Sequence, residues 1–154
     1  MIDSLSFRRA RAGDFAAVCD LAQQLALHID APLPPLTLER FLAFYVNDDA
    51  PMNLLLALRG DRVLGMIAWI LTCELYSADT CVYISDIAVN ATVRGQGIGK
   101  ALMAQAKAWG RAHGAKKLAW DVWDRNFTAK AFYERLGAEI NREAINHVLT
   151  VGDG

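Results

Sequence analysis

The feature that most restricts this chain is the run Ile84-Ser85-Asp86-Ile87-Ala88-Val89-Asn90-Ala91-Thr92-Val93-Arg94-Gly95-Gln96-Gly97-Ile98-Gly99-Lys100. A strand pattern passes through three closely spaced glycines directly into a helical pattern. Glycines so close together cost backbone entropy that a plain connection does not require. They let the main chain approach a ligand, with successive N–H groups pointing outward at the positive end of a helix dipole. The junction therefore reads as an anion site, and a pyrophosphate is its natural occupant. Two nucleotide motifs are disfavoured. A Walker loop needs a glycine where Arg94 stands and a Ser or Thr where Ala101 follows Lys100. The dinucleotide fingerprint needs Gly-x-Gly-x-x-Gly early in a βαβ unit, whereas Gly95-x-Gly97-x-Gly99 comes late, with no suitably placed acidic strand end after it.

The rest of the chain supplies one core for this junction. Its 154 residues are 54% hydrophobic and 21% charged, enough apolar surface for a packed domain, and no linker or repeat interrupts it, so a single domain over residues 1–154 is expected. The formal net charge of -1, from 16 Lys+Arg against 17 Asp+Glu, offers no electrostatic footprint for nucleic acid or an anionic membrane surface. Mean hydropathy is +0.18, yet the longest strongly apolar charge-free stretch runs only from Val63 to Cys73, about half of the roughly 20 residues that span a bilayer. The N-terminus lacks the pattern of a secretory signal, so a cytoplasmic protein is expected. Cys19, Cys73 and Cys81 form neither a C-x-x-C pair nor an even set and are expected to be buried free thiols. No His, Cys, Asp and Glu cluster has metal-ligand spacing, and no metal is expected.

Asp14 is placed to cap a helix bearing Phe15, Val18, Cys19, Ala22, Leu25, Ala26 and Ile29 on one face. After the proline cluster at residues 32–35, Thr37 caps a short helix with Leu38, Phe41, Leu42 and Tyr45. Strands follow at Asn53 to Leu58 and from Val63 onward, joined by a tight turn at Gly60-Asp61, and a further strand is expected from Cys81 to Val89. The helix leaving the loop should turn Ile98, Ala101, Leu102, Gln105, Trp109 and Ala112 to one face and end at Gly114. Lys117 to Trp123 reads as a strand, with Trp120 and Trp123 on opposite sides of it, and Ala129, Phe132, Tyr133 and Leu136 as a last helix closed by Gly137. One or two strands are expected between Glu139 and Val151. The order is that of an α/β (α+β) fold: a mixed, mostly antiparallel central sheet of six to seven strands flanked by about four helices.

Arg94-Gly95-Gln96-Gly97-Ile98-Gly99 is similar to the R/Q-x-x-G-x-G/A signature of the GCN5-related N-acetyltransferase (GNAT) superfamily, which binds the pyrophosphate of acetyl-CoA. A second segment, Asn126-Phe127-Thr128-Ala129-Lys130-Ala131-Phe132-Tyr133-Glu134-Arg135-Leu136-Gly137-Ala138, resembles the superfamily's N-x-x-A-x-x-F-Y-x-x-x-G-F/A motif at the usual spacing. The likeness covers roughly Phe7 to Ala138 and looks closest to the small diamine/polyamine acetyltransferases. It implies a GNAT-like fold and an N-acetyltransferase that moves the acetyl group of acetyl-CoA to a primary amine of a small molecule by direct attack in a ternary complex.

The resemblance also implies roles. Ile87, Ala88 and Val89 hold the pantetheine arm along a splayed strand. Arg94, Gly95, Gln96, Gly97, Ile98, Gly99 and Lys100 hold the pyrophosphate. Asn126 and Ala129 contact the CoA, and Tyr133 protonates the departing thiolate. Some polyamine-type relatives carry Glu where Ser85 stands, so Asp86 is the candidate for binding an ammonium group or relaying its proton through water. Glu74, Asp121 and Asp124 are weaker acidic candidates, and His28, Ile29 and Asp30 lie where the family covers its acceptor site. A homodimer is implied. The rival readings are a protein or peptide acetyltransferase, with an open acceptor groove, and a non-catalytic acyl-CoA sensor, indifferent to Tyr133.

Overall fold

The structure, a computed structural model, describes residues 4–152. The chain divides into two compact units between Asp121 and Val122. The first unit holds strands β1 (Ser6–Arg9), β2 (Asn53–Arg59), β3 (Arg62–Cys73), β4 (Thr80–Val89) and β5 (Lys117–Ala119). Its helices are α1 (Phe15–His28), α2 (Leu38–Phe41), which continues as a π-helical turn over Leu42–Val46, and α3 (Ile98–Ala112). The second unit contains α4 (Phe127–Arg135). The sheet order is β1-β2-β3-β4-β5, antiparallel up to β4, with β5 parallel to β4.

Alternation along the strands divides the first unit into two apolar layers. Leu54, Leu56 and Leu58 of β2 share a buried cluster with Met66 and Ala68 of β3, Ala88 of β4, Val18 and Leu21 of α1, and Phe41 of α2. The opposite face meets α3. Trp69 packs edge-on against Trp109, with ring centroids 5.5 Å apart. Gly110 comes so near the sheet that a Cβ there would lie 2.8 Å from Cγ2 of Val82.

The pairing of β3 with β4 is irregular at one point. Ala68 pairs with Asp86, but its neighbour Trp69 pairs with Ile84, leaving Ser85 as the extra residue of a β-bulge. Ile84 therefore shares the α3 face with Trp69, while Asp86 shares the α1 face with Ala68. Simple alternation would have put Ile84 and Asp86 on the same side.

Several expectations need correction. The described sheet has five strands, not six or seven. No strand forms between Glu139 and Val151, because a strand needs a ladder partner and none of the described residues pairs with that segment. The strand expected over Lys117 to Trp123 stops at Ala119: the bulge at Ser85 bends β4 just past the three residues to which β5 is paired. Trp120 and Trp123 thus do not alternate on a strand. Asp14 occupies the cap position of α1 without capping it. Its carboxylate instead accepts from Arg8 Nη1 at 2.7 Å, Arg8 Nη2 at 3.0 Å and the Arg11 amide at 2.7 Å, because a guanidinium fork is the stronger partner. On α3 the buried line is Ile98, Leu102, Met103, Ala106 and Gly110, and Gln105 and Ala112 are exposed. The contact with the sheet follows the i, i+4 row that ends on Gly110. Of the thiols, Cys81 is buried, Cys19 half-buried and Cys73 exposed, the last at the end of β3 where the hairpin leaves the core. Thr37 does cap α2, accepting from the Arg40 amide, and Gly114 and Gly137 follow α3 and α4 with φ of 78° and 85°.

Candidate functional site

The chain leaves β4 through a turn fixed on several sides. The Asn90 amide donates to Leu64 O at 2.8 Å, and Asn90 Oδ1 accepts from the Thr92 amide and hydroxyl. Arg62 Nη2 donates to Thr92 Oγ1 at 2.9 Å, and the Ala91 amide donates to Gln24 Oε1 of α1 at 2.8 Å. Arg94 Nε donates to Val89 O, and Nη1 lies 3.5 Å from His28 Nδ1. The loop beyond is thus anchored before its glycines begin.

Gly95 and Gly97 have φ of 80° and 81°, the left-handed region that a side chain enters only with strain. Gly97 is the N-cap of α3 and supplies no side-chain cap. The first amide of the helical ladder is Ala101, which donates to Gly97 O at 3.0 Å. The amides of Ile98, Gly99 and Lys100 precede that ladder and face the helix entrance. No acidic residue stands in the first turn, and a Cβ at Gly95 or Gly97 would meet open space. This donor set, at the positive end of a 15-residue helix, fits an anionic phosphate group of the kind CoA carries.

Upstream, β5 pairs with β4 only at Cys81, Val82 and Tyr83. From Ile84 to Val89 the β4 edge has no strand partner on that side among the described residues, so its main-chain groups are available to an extended ligand. Next to this edge, on the α1 face, lies an open cavity of about 280 Å³ lined by α1, the proline loop, Tyr45, β2, β3 and Asp86. Asp86 is the one charged residue lining it. It is exposed, and no hydrogen bond or ion pair holds its carboxylate among the described residues.

The other acidic candidates are engaged. Asp121 Oδ2 accepts from the Tyr83 hydroxyl at 2.7 Å, and this bond pushes the Tyr83 phenol up to about 12, so it stays neutral at physiological pH. Glu74 pairs with Lys117 at 3.2 Å and accepts from Ser77. Asp124 pairs with Lys130 at 2.5 Å. Tyr45, on the cavity wall, has its pKa raised first by burial and then by the charge of Asp86. Of the acceptor-site candidates after α1, Ile29 lines the cavity, His28 meets Arg94 and Asp30 adopts φ 53°.

The second unit brings Asn126, Ala129 and Tyr133 together on α4. Asn126 Oδ1 accepts from the Ala129 amide at 3.1 Å and so caps the helix. Tyr133 is half-buried beside Phe132, with ring centroids 5.4 Å apart. Burial raises its pKa, which keeps the phenol protonated.

The family model described as the acetyltransferase (GNAT) family matches residues 16–138. The chain belongs to this family. Among solved structures, this GNAT chain is similar to a transcriptional regulator from Bacillus halodurans C-125 (TM-score 0.80, 23% identity, 95% of this chain and 100% of that one). It is also similar to an integron cassette protein from V. cholerae (TM-score 0.78, 20% identity, 97% and 94%). A third is an aminoglycoside acetyltransferase from an uncultured soil metagenomic sample, in complex with sisomicin (TM-score 0.77, 17% identity, 96% and 97%). At these identities the likeness establishes the fold. No curated protein matches the chain significantly. The family's members are acetyl-CoA-dependent acetyltransferases. Among the described residues no group of three or more His, Cys, Asp and Glu is placed to hold a metal ion, and no helix is long and apolar enough to cross a membrane.

Sequence reading missed Gln24 and Arg62 as anchors of the loop, and Tyr45 as a wall of the cavity. Arg59 Nη2 also reaches Gln96 Oε1 at 3.5 Å. These four are ordinary surface or helix residues in the sequence, and only the packing of α1, the π-helical turn after α2 and the β2–β3 turn brings them to the site.

Proposed function

We propose that this GNAT protein transfers the acetyl group of acetyl-CoA to a primary amine of a small molecule by direct attack in a ternary complex. The observation that carries the reading is the continuity of the first unit's anion loop with a free strand edge and a carboxylate-edged cavity. The likeness to the small diamine/polyamine acetyltransferases and the aminoglycoside acetyltransferase among similar folds both support an amine acceptor.

Acetyl-CoA, when bound, supplies an activated thioester. The amides after Gly97 and the side chains of Arg94 and Lys100 neutralise its pyrophosphate. The main chain of Ile87, Ala88 and Val89 pairs with the pantetheine arm, and the amide near Ala88 or Val89 polarises the thioester carbonyl. Asp86 attracts the acceptor's ammonium group and passes one of its protons to water, leaving a neutral nitrogen. That nitrogen forms the new C–N bond as the C–S bond breaks, the sulfur keeps the electron pair, and the acylated nitrogen releases its surplus proton to water. Tyr133 donates the proton that the thiolate takes up, and its burial-raised pKa keeps that proton available across the neutral range. Asn126 and Ala129 support the same helix and contact the CoA. The same reading includes a cytoplasmic homodimer, for which the exposed apolar side chains Ile140, Ile145, Val148 and Leu149 offer material for an interface.

The experiment is calorimetry with CoA. The protein should bind it, and Gly97→Val, which places a β-branched side chain in the left-handed region, should weaken binding by about 100-fold. Unchanged affinity would sink the loop assignment. Thiol release then checks the chemistry: Tyr133→Phe should lower kcat by about 100-fold with little change in acetyl-CoA affinity.

A further inference from the structure

We infer that the acceptor is an amphiphilic monoamine, an alkyl- or arylalkylamine with a single ammonium group at Asp86 and an apolar body in the cavity beneath α1. The inference rests on the acetyltransferase reading above and narrows its acceptor away from polyamines and aminoglycosides.

Three observations carry it. The first is charge. The cavity wall is made by apolar side chains such as Val18, Leu25, Ile29, Leu54 and Met66, and its one charged residue is Asp86. Tyr45, its other polar side chain, is a phenol kept neutral by burial. One carboxylate matches one ammonium. A second ammonium carried against this wall would lie among apolar side chains with no partner, which disfavours it.

The second is size. A cavity of roughly 150 Å³ accommodates benzene, so about 280 Å³ takes a body of roughly ten non-hydrogen atoms on the same scale. A hexyl or phenylethyl chain fits that figure, whereas the several amino-substituted rings of an aminoglycoside exceed it.

The third is placement. Alternation along β4 puts Asp86 on the same face as Ala88, the cavity face, one residue before Ile87 on the free edge. A strand rises about 3.3 Å per residue. An ammonium group at Asp86 with its apolar chain directed into the cavity therefore keeps its nitrogen beside that edge, where the thioester is proposed to lie.

The test is a thiol-release series with acetyl-CoA and the intact protein, comparing n-butylamine, n-hexylamine, 2-phenylethylamine, hexane-1,6-diamine, spermidine, an aminoglycoside and a lysine peptide. The kcat/KM should rise about 4-fold per methylene, hence about 16-fold from butylamine to hexylamine. Hexane-1,6-diamine, of equal length but charged at its far end, should fall about 100-fold below hexylamine. Ala22→Trp, which fills the cavity, should abolish the gain with chain length while leaving acetyl-CoA affinity in place. The wild-type series decides the matter even if this variant does not fold. A diamine or spermidine equal to or better than hexylamine overturns the inference. So does turnover confined to the aminoglycoside or the peptide, and in both cases acetyl transfer itself stands. Failure to bind acetyl-CoA, or binding with no thiol release from any amine, overturns the acetyltransferase reading and this inference with it.

Discussion

α3 covers one face of the sheet with no room to spare, bringing Gly110 against Val82 and Trp109 against Trp69, whereas α1 and the proline loop cover the other face and leave about 280 Å³ open beside Asp86. Both layers are built on the same strands. They differ in what the covering helix presents. α3 offers Ala106 and Gly110 where it meets the sheet, so its axis approaches closely and its N-terminus is held rigidly under the glycine loop. α1 gives way to a segment rich in proline, whose fixed φ prevents a helix from closing over the gap. A phosphate cradle benefits from the first arrangement, because its amides must be aimed before the ligand arrives. The proposed acceptor pocket needs the second.

The largest expected effect comes from breaking the close face. Gly110→Leu would drive a side chain into Val82, which is fully buried, and should destabilise the fold by about 3 kcal/mol. In a domain of this size that is a loss of about 10 °C in melting temperature, measurable by thermal or urea unfolding. An unchanged midpoint would mean that α3 slides freely over the sheet and that the two faces do not differ in the way described.

A second, smaller effect separates the layers by pH. The α1 layer is tied to β1 by the bidentate pair of Asp14 with Arg8, which is shielded from solvent on the Asp14 side, while the α3 layer is held by apolar contact. Asp14→Asn should cost about 2 kcal/mol at neutral pH. The hydrogen bond from Arg8 holds the Asp14 pKa below its ordinary value of 3.8. A carboxylate with a depressed folded pKa contributes stability that is fully present above the unfolded value and is lost as pH falls through the folded one. The gap between wild type and Asp14→Asn should therefore be constant from pH 5 to 8 and shrink below about pH 4. Urea titrations across that range check it, and a gap that persists at pH 2 would contradict the assignment.

How far the sequence carries this picture depends on which interactions are local. The strand-to-helix junction, the Thr37 cap and the glycine after each long helix are set by neighbours within a few residues, and each was legible from residue type and spacing. The left-handed turns of the loop at Gly95 and Gly97 were legible for the same reason. What was not legible is set by partners far along the chain. The bulge at Ser85 depends on how β3 pairs with β4, and it sets Ile84 and Asp86 on opposite faces of the sheet. The choice of Asp14 for Arg8 over its own helix is a tertiary preference. The cavity is a space between elements, so no residue type announces it. Glu74, Asp121 and Asp124 read as weaker acidic candidates than Asp86, and their hydrogen bonds, formed by partners far along the chain or in its loops, set them apart from it further.

The smallest expected effect is the most discriminating. Ala22→Leu on α1 adds apolar atoms on the open face, as Gly110→Leu does on the closed one. Ala22 borders the cavity, so the new side chain enters free space, and the fold should gain between zero and about 1 kcal/mol. The same substitution takes volume from the acceptor's apolar body. Stability should thus hold or rise while kcat/KM for hexylamine falls toward that of butylamine, about 16-fold for the two methylenes excluded. Urea unfolding and thiol release on one preparation read both quantities. If Ala22→Leu instead destabilises as much as Gly110→Leu, the α1 face is as tightly closed as the α3 face in solution, and the acceptor must bind elsewhere.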